Sequence, residues 1–206
     1  MIRVTIVEDN DTIRYGLREY INDTKDFECV AEYSNCEELL SELTEQPTDI
    51  VLMDIELPGI SGIEGIKEIG KIVKNQKIII LTIYSESENL FAALSAGAFG
   101  YIEKKSPPLQ MLKIIQEVYL GKSNMNTYIA RKVYSFFKSN TANEDEQTER
   151  LDENEYKILK NLINGNSPKA ISDKLDIPSD SVYRSLYNVY EKLHIKFGLK
   201  KIQTVK

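Results

Sequence analysis

The apolar run Ile50-Val51-Leu52-Met53 ends on a carboxylate, Asp54, and Pro58-Gly59 follows a few residues later. A continuous apolar run of this length reads as a strand buried on both faces of a parallel sheet. Pro-Gly then forces a turn. Asp54 thereby falls at the carboxyl end of a central strand, where open α/β sheets bind ligands. Taken singly, it could merely cap a loop. It has company, however. Ile2 to Val7 forms a second such run and ends in Glu8-Asp9. Ile78 to Leu81 forms a third and ends in Thr82, and Phe99 to Ile102 forms a fourth, followed by Glu103 and Lys104. A parallel sheet would gather Glu8, Asp9, Asp54, Thr82 and Lys104 along one edge. Like charges at that separation need a counter-charge. A hard divalent cation with oxygen ligands supplies one, and Mg²⁺ suits a site of few carboxylates and several waters.

Glu8-Asp9, Asp54 ahead of Leu57-Pro58-Gly59, Thr82, and the stretch from Gly97 to Lys104 resemble the receiver domain of two-component response regulators over roughly residues 1–122. That resemblance implies an aspartyl phosphate on Asp54, formed by transfer from a sensor histidine kinase, and no catalysis beyond making and losing it. It implies Mg²⁺ held by Asp9, Asp54 and the backbone carbonyl of Glu56, with Glu8 acting through water. Lys104 would pair with the phosphoryl oxygens; the spacing from Gly100-Tyr101 selects it over the neighbouring Lys105. Thr82 would move to the phosphoryl group and Tyr101 would fill the space it leaves. A phosphatase working through an aspartyl phosphate would need a second carboxyl two residues on, where Glu56 stands. Leu57-Pro58-Gly59, Thr82 and Lys104 match the receiver better.

The elements that must position these groups alternate regularly. Strands are predicted at 2–7, about 29–33, 50–53, 77–82 and 99–102. Helices are predicted from about Thr12 behind Asp9-Asn10-Asp11, over 37–45, along the Ile63, Ile66, Ile69, Val73 stripe, over 90–96, and from Ser106-Pro107-Pro108 to Leu120. Strand and helix alternating five times define an α/β doubly wound parallel five-stranded sheet, flavodoxin-like in class.

Residues 123–149 are expected to hold a connecting helix (126–138) and an acidic linker (139–149) with four acids and no lysine or arginine. A second, small all-α domain follows at 150–206. It reads as helix 155–163, helix 169–175, a turn at Asp176-Ile177-Pro178, and a last helix capped by Ser179 and running to about Leu193. Helix, tight turn, helix is the helix-turn-helix pattern. The run Ser167 to Ile177, then Ser181-Val182, Asn188 and Lys192-Leu193, resembles the LuxR-type output domain of NarL/FixJ response regulators. By that resemblance Tyr183, Arg184 and Tyr187 face the major groove of promoter DNA, with Ser179, Asn188 and Lys192 near phosphates. The family's usual lysines on this helix are replaced by Tyr183 and Tyr187, and its histidine by Ser185. Those departures keep open an output domain that grips a protein instead. Val182, Leu186, Val189 and Leu193 form the expected core stripe; Tyr183, Tyr187 and Tyr190 form a second stripe beside it. His194 is expected to be structural.

Charge divides along the chain. Residues 1–138 carry 15 basic and 21 acidic side chains, residues 139–149 carry four acids, and residues 150–206 carry 11 basic and 7 acidic. A basic end on a chain of net charge −6 points to a polyanion partner there and excludes a wholly nucleic-acid-coating protein. Cys29 and Cys36 lie among apolar or helical neighbours and read as packing thiols. The first residues read as a strand rather than a signal peptide, and no run approaches the ~20 apolar residues of a membrane helix, so a cytoplasmic location is expected. One recognition helix with one arginine is poorly selective, which predicts a homodimer formed on phosphorylation.

Overall fold

The computed structural model describes residues 1–139 and 150–198. Most of the acidic linker, at 140–149, and the last residues of the predicted output domain, at 199–206, lie outside the described residues. Five strands, β1 (Ile2–Val7), β2 (Phe27–Tyr33), β3 (Ile50–Asp54), β4 (Lys77–Thr82) and β5 (Gly100–Glu103), form one parallel sheet in the order β2-β1-β3-β4-β5. Every pairing is parallel, because a helix returns the chain after each strand: α1 (Asp11–Asn22), α2 (Cys36–Glu42), α3 (Gly62–Ile72) and α4 (Glu88–Ser95). α5 (Pro108–Tyr119) closes the unit after β5. Residues 50–53 of β3 and 78–81 of β4 are almost wholly buried, as central strands covered on both faces must be. The chain order reverses between β1 and β3, so their carboxyl ends open a crevice between Glu8-Asp9 and Asp54.

Local chemistry starts the helices where the sequence reading expects. Asn10 caps α1 by accepting from the Ile13 amide at 3.1 Å. Ser61 and Glu64 form a reciprocal capping box at the start of α3. Gly62 has a further duty. A Cβ there would lie 1.9 Å from the Asp54 carbonyl oxygen, so only glycine lets α3 start directly beneath the end of β3.

Three helices build the second unit: α7 (Glu153–Ile163), α8 (Pro168–Leu175) and α9 (Ser179–Lys196). Asp176, at φ 52°, ends α8 in the left-handed conformation and turns the chain toward α9. Ser179 is not the cap of α9. Pro178 holds that position without a side-chain bond, and the Ser179 hydroxyl lies 3.1 Å from the Ser172 hydroxyl, tying α9 to α8 instead. Val182, Leu186, Val189 and Leu193 are wholly buried, as the stripe predicts.

The connecting helix α6 (Thr127–Ser139) packs against α7. The Thr127 hydroxyl donates to the Leu162 carbonyl at 3.1 Å, Tyr134 meets Tyr156 edge-on at 5.8 Å, and Phe136 stacks on Phe197 past the end of α9. Ile129, Ala130, Val133 and Phe137 are buried along its inner face. α6 thus packs along α7 and against Phe197.

Candidate functional site

β1, β3, β4 and β5 deliver their strand-end groups to one edge, in the arrangement the sequence implies. Asp54 is 5% exposed. Its Oδ1 accepts the Ile55 amide at 2.7 Å and its Oδ2 accepts from Lys104 Nζ at 2.9 Å. The same ammonium lies 2.9 Å from Glu8 Oε1 and 2.7 Å from Oε2, so it bridges the acids at the ends of β1 and β3. Glu8 is fully buried. Burial pushes its pKa up, against the pull of Lys104. Burial works to lower the Lys104 pKa, but the hydrogen bonds to Glu8 and Asp54 outweigh it and the ammonium is held. Asp9 is exposed at the mouth, and the carboxylates of Glu8, Asp9 and Asp54 offer oxygens all within 4.8 Å of one another. Three hard oxygen donors against one ammonium leave negative charge uncompensated. That donor set fits a hard divalent cation.

Thr82 sits one strand over from Asp54 and is nearly buried. Its hydroxyl donates to the Tyr84 carbonyl and accepts the Tyr84 amide, both at 3.1 Å, so it is occupied by its own loop. Glu56 and Tyr84 are exposed beside the mouth. Tyr101 is buried, and burial pushes its phenol up to about 12, with nearby Asn126 acting the other way. Arg14 went unnoticed in the sequence. It is 7% exposed on α1, donates to the Glu8 carbonyl at 2.8 Å, pairs with Asp11, and so braces the end of β1. Its only signal was a charge where the α1 stripe called for an apolar side chain.

The second stripe of α9 faces the receiver. Tyr187 stacks on Phe99 at 4.5 Å and 12°, and the Tyr183 carbonyl accepts the Ser123 amide at 3.0 Å. The Tyr190 hydroxyl donates to the Asn124 carbonyl at 3.1 Å, and Asp180 pairs with Lys122 at 2.8 Å. His194 Nε2 lies 2.9 Å from the Leu94 carbonyl and 3.0 Å from the Ala98 carbonyl, at the end of α4. Of the residues assigned to DNA, Ser179, Arg184 and Asn188 are exposed. Tyr187 lies against Phe99 of the receiver, and Tyr183 beside Ser123 in the segment after α5. Lys192 pairs with the buried Glu155 at 2.6 Å.

The family of receiver domains of response regulators matches residues 4–116, and the luxR family of bacterial regulatory proteins matches residues 149–197. The response regulator UvrY of Escherichia coli K12 is 31% identical, covering 95% of this chain and 89% of its own. The response regulator GacA of Pseudomonas protegens is 30% identical, covering 95% and 91%. Among solved structures, the response regulator ChrA of a heme-sensing two-component system aligns over 97% of this chain and 92% of its own, at 26% identity and a TM-score of 0.52. The chain belongs to the two-component response regulators that join a receiver to a LuxR-type DNA-binding output domain. Among the described residues no helix is long and apolar enough to cross a membrane.

Proposed function

We propose that this regulator accepts a phosphoryl group on Asp54 from a sensor histidine kinase in the cytoplasm and thereby changes the availability of its output domain to promoter DNA. One observation carries the reading: a buried Asp54 shares the Lys104 ammonium with a buried Glu8, at the crevice where the chain order reverses. The Asp54 carboxylate attacks phosphorus, the new P–O bond forms as the bond to the donor breaks, and the donor leaves with that electron pair. Lys104, already held between two acids, pairs with the incoming oxygens as a point charge. Mg²⁺ held by Asp9, Asp54, the Glu56 backbone carbonyl and, through water, Glu8 would neutralise phosphoryl charge there. The Thr82 hydroxyl exchanges its Tyr84 partners for a phosphoryl oxygen, and Tyr101 follows it inward. The family resemblance and the free valences of this donor set support these assignments.

On the output side, the reading assigns Arg184 and Asn188 to bases and backbone, with Tyr183 and Tyr187 joining them once the receiver withdraws. Ser179 and Lys192 would lie near phosphates. Two copies on half-sites about one helical turn apart would combine these few contacts. The tyrosine face gives the protein-gripping alternative its support, since an aromatic face suits a protein surface as well as a groove.

The test is phosphate uptake from acetyl phosphate and Mg²⁺, read by intact mass, with sedimentation of the same samples and binding to one target DNA fragment at fixed salt. Wild type is expected to gain one phosphoryl group, to dimerise and to bind more tightly. Asp54→Asn is expected to do none of these. An Asp54→Asn protein that still gains phosphate rejects the site. An Arg184→Ala protein with unchanged affinity and sequence preference favours the protein partner.

We also place the start of the output unit at α6, so that the hinge lies in residues 120–126. A fragment of residues 123–206 is expected to unfold cooperatively. A fragment of residues 150–206 is expected to lose several degrees of melting temperature or to stay unfolded, because the aromatic and aliphatic cover of α7 is gone. Equal thermal midpoints would return the boundary to the acidic linker.

A further inference from the structure

Asn126 joins the start of α6 to the loop after β4, a link that no other side-chain hydrogen bond makes among the described residues. Its Oδ1 accepts the Ile129 amide at 2.8 Å and caps α6. Its Nδ2 donates to the Ser85 carbonyl at 2.8 Å, on the loop that begins at Thr82. Tyr101 lies close by, and Asn126 acts to lower its phenol pKa against the effect of burial. α6 in turn is fixed to α7 through Thr127 and Tyr134. Among the described residues, the other hydrogen bond and ion pair from α6 to the receiver are those of the Tyr128 hydroxyl and the Lys132 ammonium on Glu88, and they are exposed or nearly so. Exposed pairs of that kind hold little.

We propose that Asn126 is the positioning residue that reports the state of the phosphorylation site to the output domain. This rests on the reading that Asp54 is phosphorylated and that Thr82 and Tyr101 respond. When the Thr82 hydroxyl leaves Tyr84, the backbone from 83 to 85 shifts, and Tyr101 beside Asn126 turns inward. Asn126 then loses its bond to Ser85 while keeping its cap on α6. The helix moves with the output unit, pivoting in residues 120–126. The coupling is reciprocal: as long as Asn126 holds Ser85, the loop resists the arrangement that phosphorylation requires.

The cap and the relay are chemically separable. Asn126→Asp and Asn126→Ser both retain an oxygen able to cap α6, and both lose the amide donor; the serine does so without adding charge. Asn126→Ala loses cap and donor together. The experiment uses full-length protein with acetyl phosphate and Mg²⁺, following phosphate uptake by intact mass, sedimentation before and after, and thermal unfolding. Asn126→Asp and Asn126→Ser are expected to take up phosphate about three- to tenfold faster than wild type, the range one lost hydrogen bond allows. Before phosphorylation they should sediment more slowly for their mass, with a wild-type unfolding midpoint. Asn126→Ala is expected to show the same acceleration and a lower midpoint. Wild type that gains no phosphate sinks the phosphorylation reading and the relay with it. Wild type that gains phosphate and opens, beside Asn126→Asp and Asn126→Ser variants that match it in rate and sedimentation, overturns the relay alone.

Discussion

Replacing Tyr187 by alanine is expected to shift the protein toward the arrangement in which α9 leaves the receiver by about 30-fold. The ring stacks on Phe99 at 4.5 Å and is half-buried between α9 and the start of β5. A stacked aromatic pair contributes about 0.5–1.5 kcal/mol beyond its area, and withdrawing the apolar surface of half a ring adds roughly 1 kcal/mol. The sum, about 2 kcal/mol, is about 30-fold in an equilibrium constant. The measurements are the radius of gyration by small-angle scattering and amide exchange across residues 94–101, the backbone that α9 covers. Tyr187→Phe preserves the stack and is expected to stay close to wild type. Val189→Ala supplies the contrast: Val189 is wholly buried inside the output unit, so its truncation should lower the unfolding midpoint without exposing residues 94–101. A Tyr187→Ala protein with wild-type radius and exchange would show that the stack is not what holds the two units together.

The same substitution bears on what the helix is for. The resemblance puts a lysine where Tyr187 stands, and here that position is occupied by an aromatic ring lying on the receiver. Tyr183 and Tyr190 join it on the same side, and burial raises the pKa of all three phenols. The Tyr187 ring stacks on Phe99 of the receiver instead of facing solvent. Arg184 and Asn188 stay open to solvent on the other side of the helix.

The sheet and the strand ends that carry Glu8, Asp54, Thr82 and Lys104 were legible because each signal is local. Ile50 to Met53 is long enough to be a strand and too apolar to be anything but buried, and the chain has nowhere to put Asp54 except the strand's end. The faces of α6 and α9 were not legible in the same way. An amphipathic helix states that one face is covered but not by what. The Tyr183, Tyr187, Tyr190 stripe reads equally as core margin, groove surface or interface, and only the position of Phe99 across from it decides. α6 reads as a connector because an acidic stretch follows it; its allegiance to α7 depends on Tyr134 finding Tyr156, contacts between residues 22 apart that no local pattern encodes. His194 is buried, and nothing in the sequence named the Leu94 and Ala98 carbonyls as its partners.

Those carbonyls make the closed arrangement sensitive to acid. Burial against α4 and the Phe99 ring lowers the His194 pKa from its ordinary 6.5 to about 4, while its bonds to the Leu94 and Ala98 carbonyls act weakly the other way. When α9 leaves the receiver, the imidazole meets water and regains its ordinary value. A base whose pKa is depressed in the closed form stabilises that form fully above the open-form pKa. The stabilisation is lost as pH falls from 6.5 toward 4, about tenfold in the closed-to-open ratio for each unit. Two other ionisable groups at this interface respond differently. The Lys122 hydrogen bond holds Asp180 below its ordinary 3.8, so that pair persists through the window. Burial pushes Glu117 up, so acid favours rather than opposes its covering. His194→Gln isolates the imidazole, because the glutamine amide can donate to the same two carbonyls and does not titrate. Between pH 7 and 5, wild type is expected to open by about 20-fold and His194→Gln by no more than a few-fold, read by amide exchange at residues 94–101 after correction for intrinsic rates. Parallel pH profiles for the two proteins would mean that His194 stays buried when the interface opens.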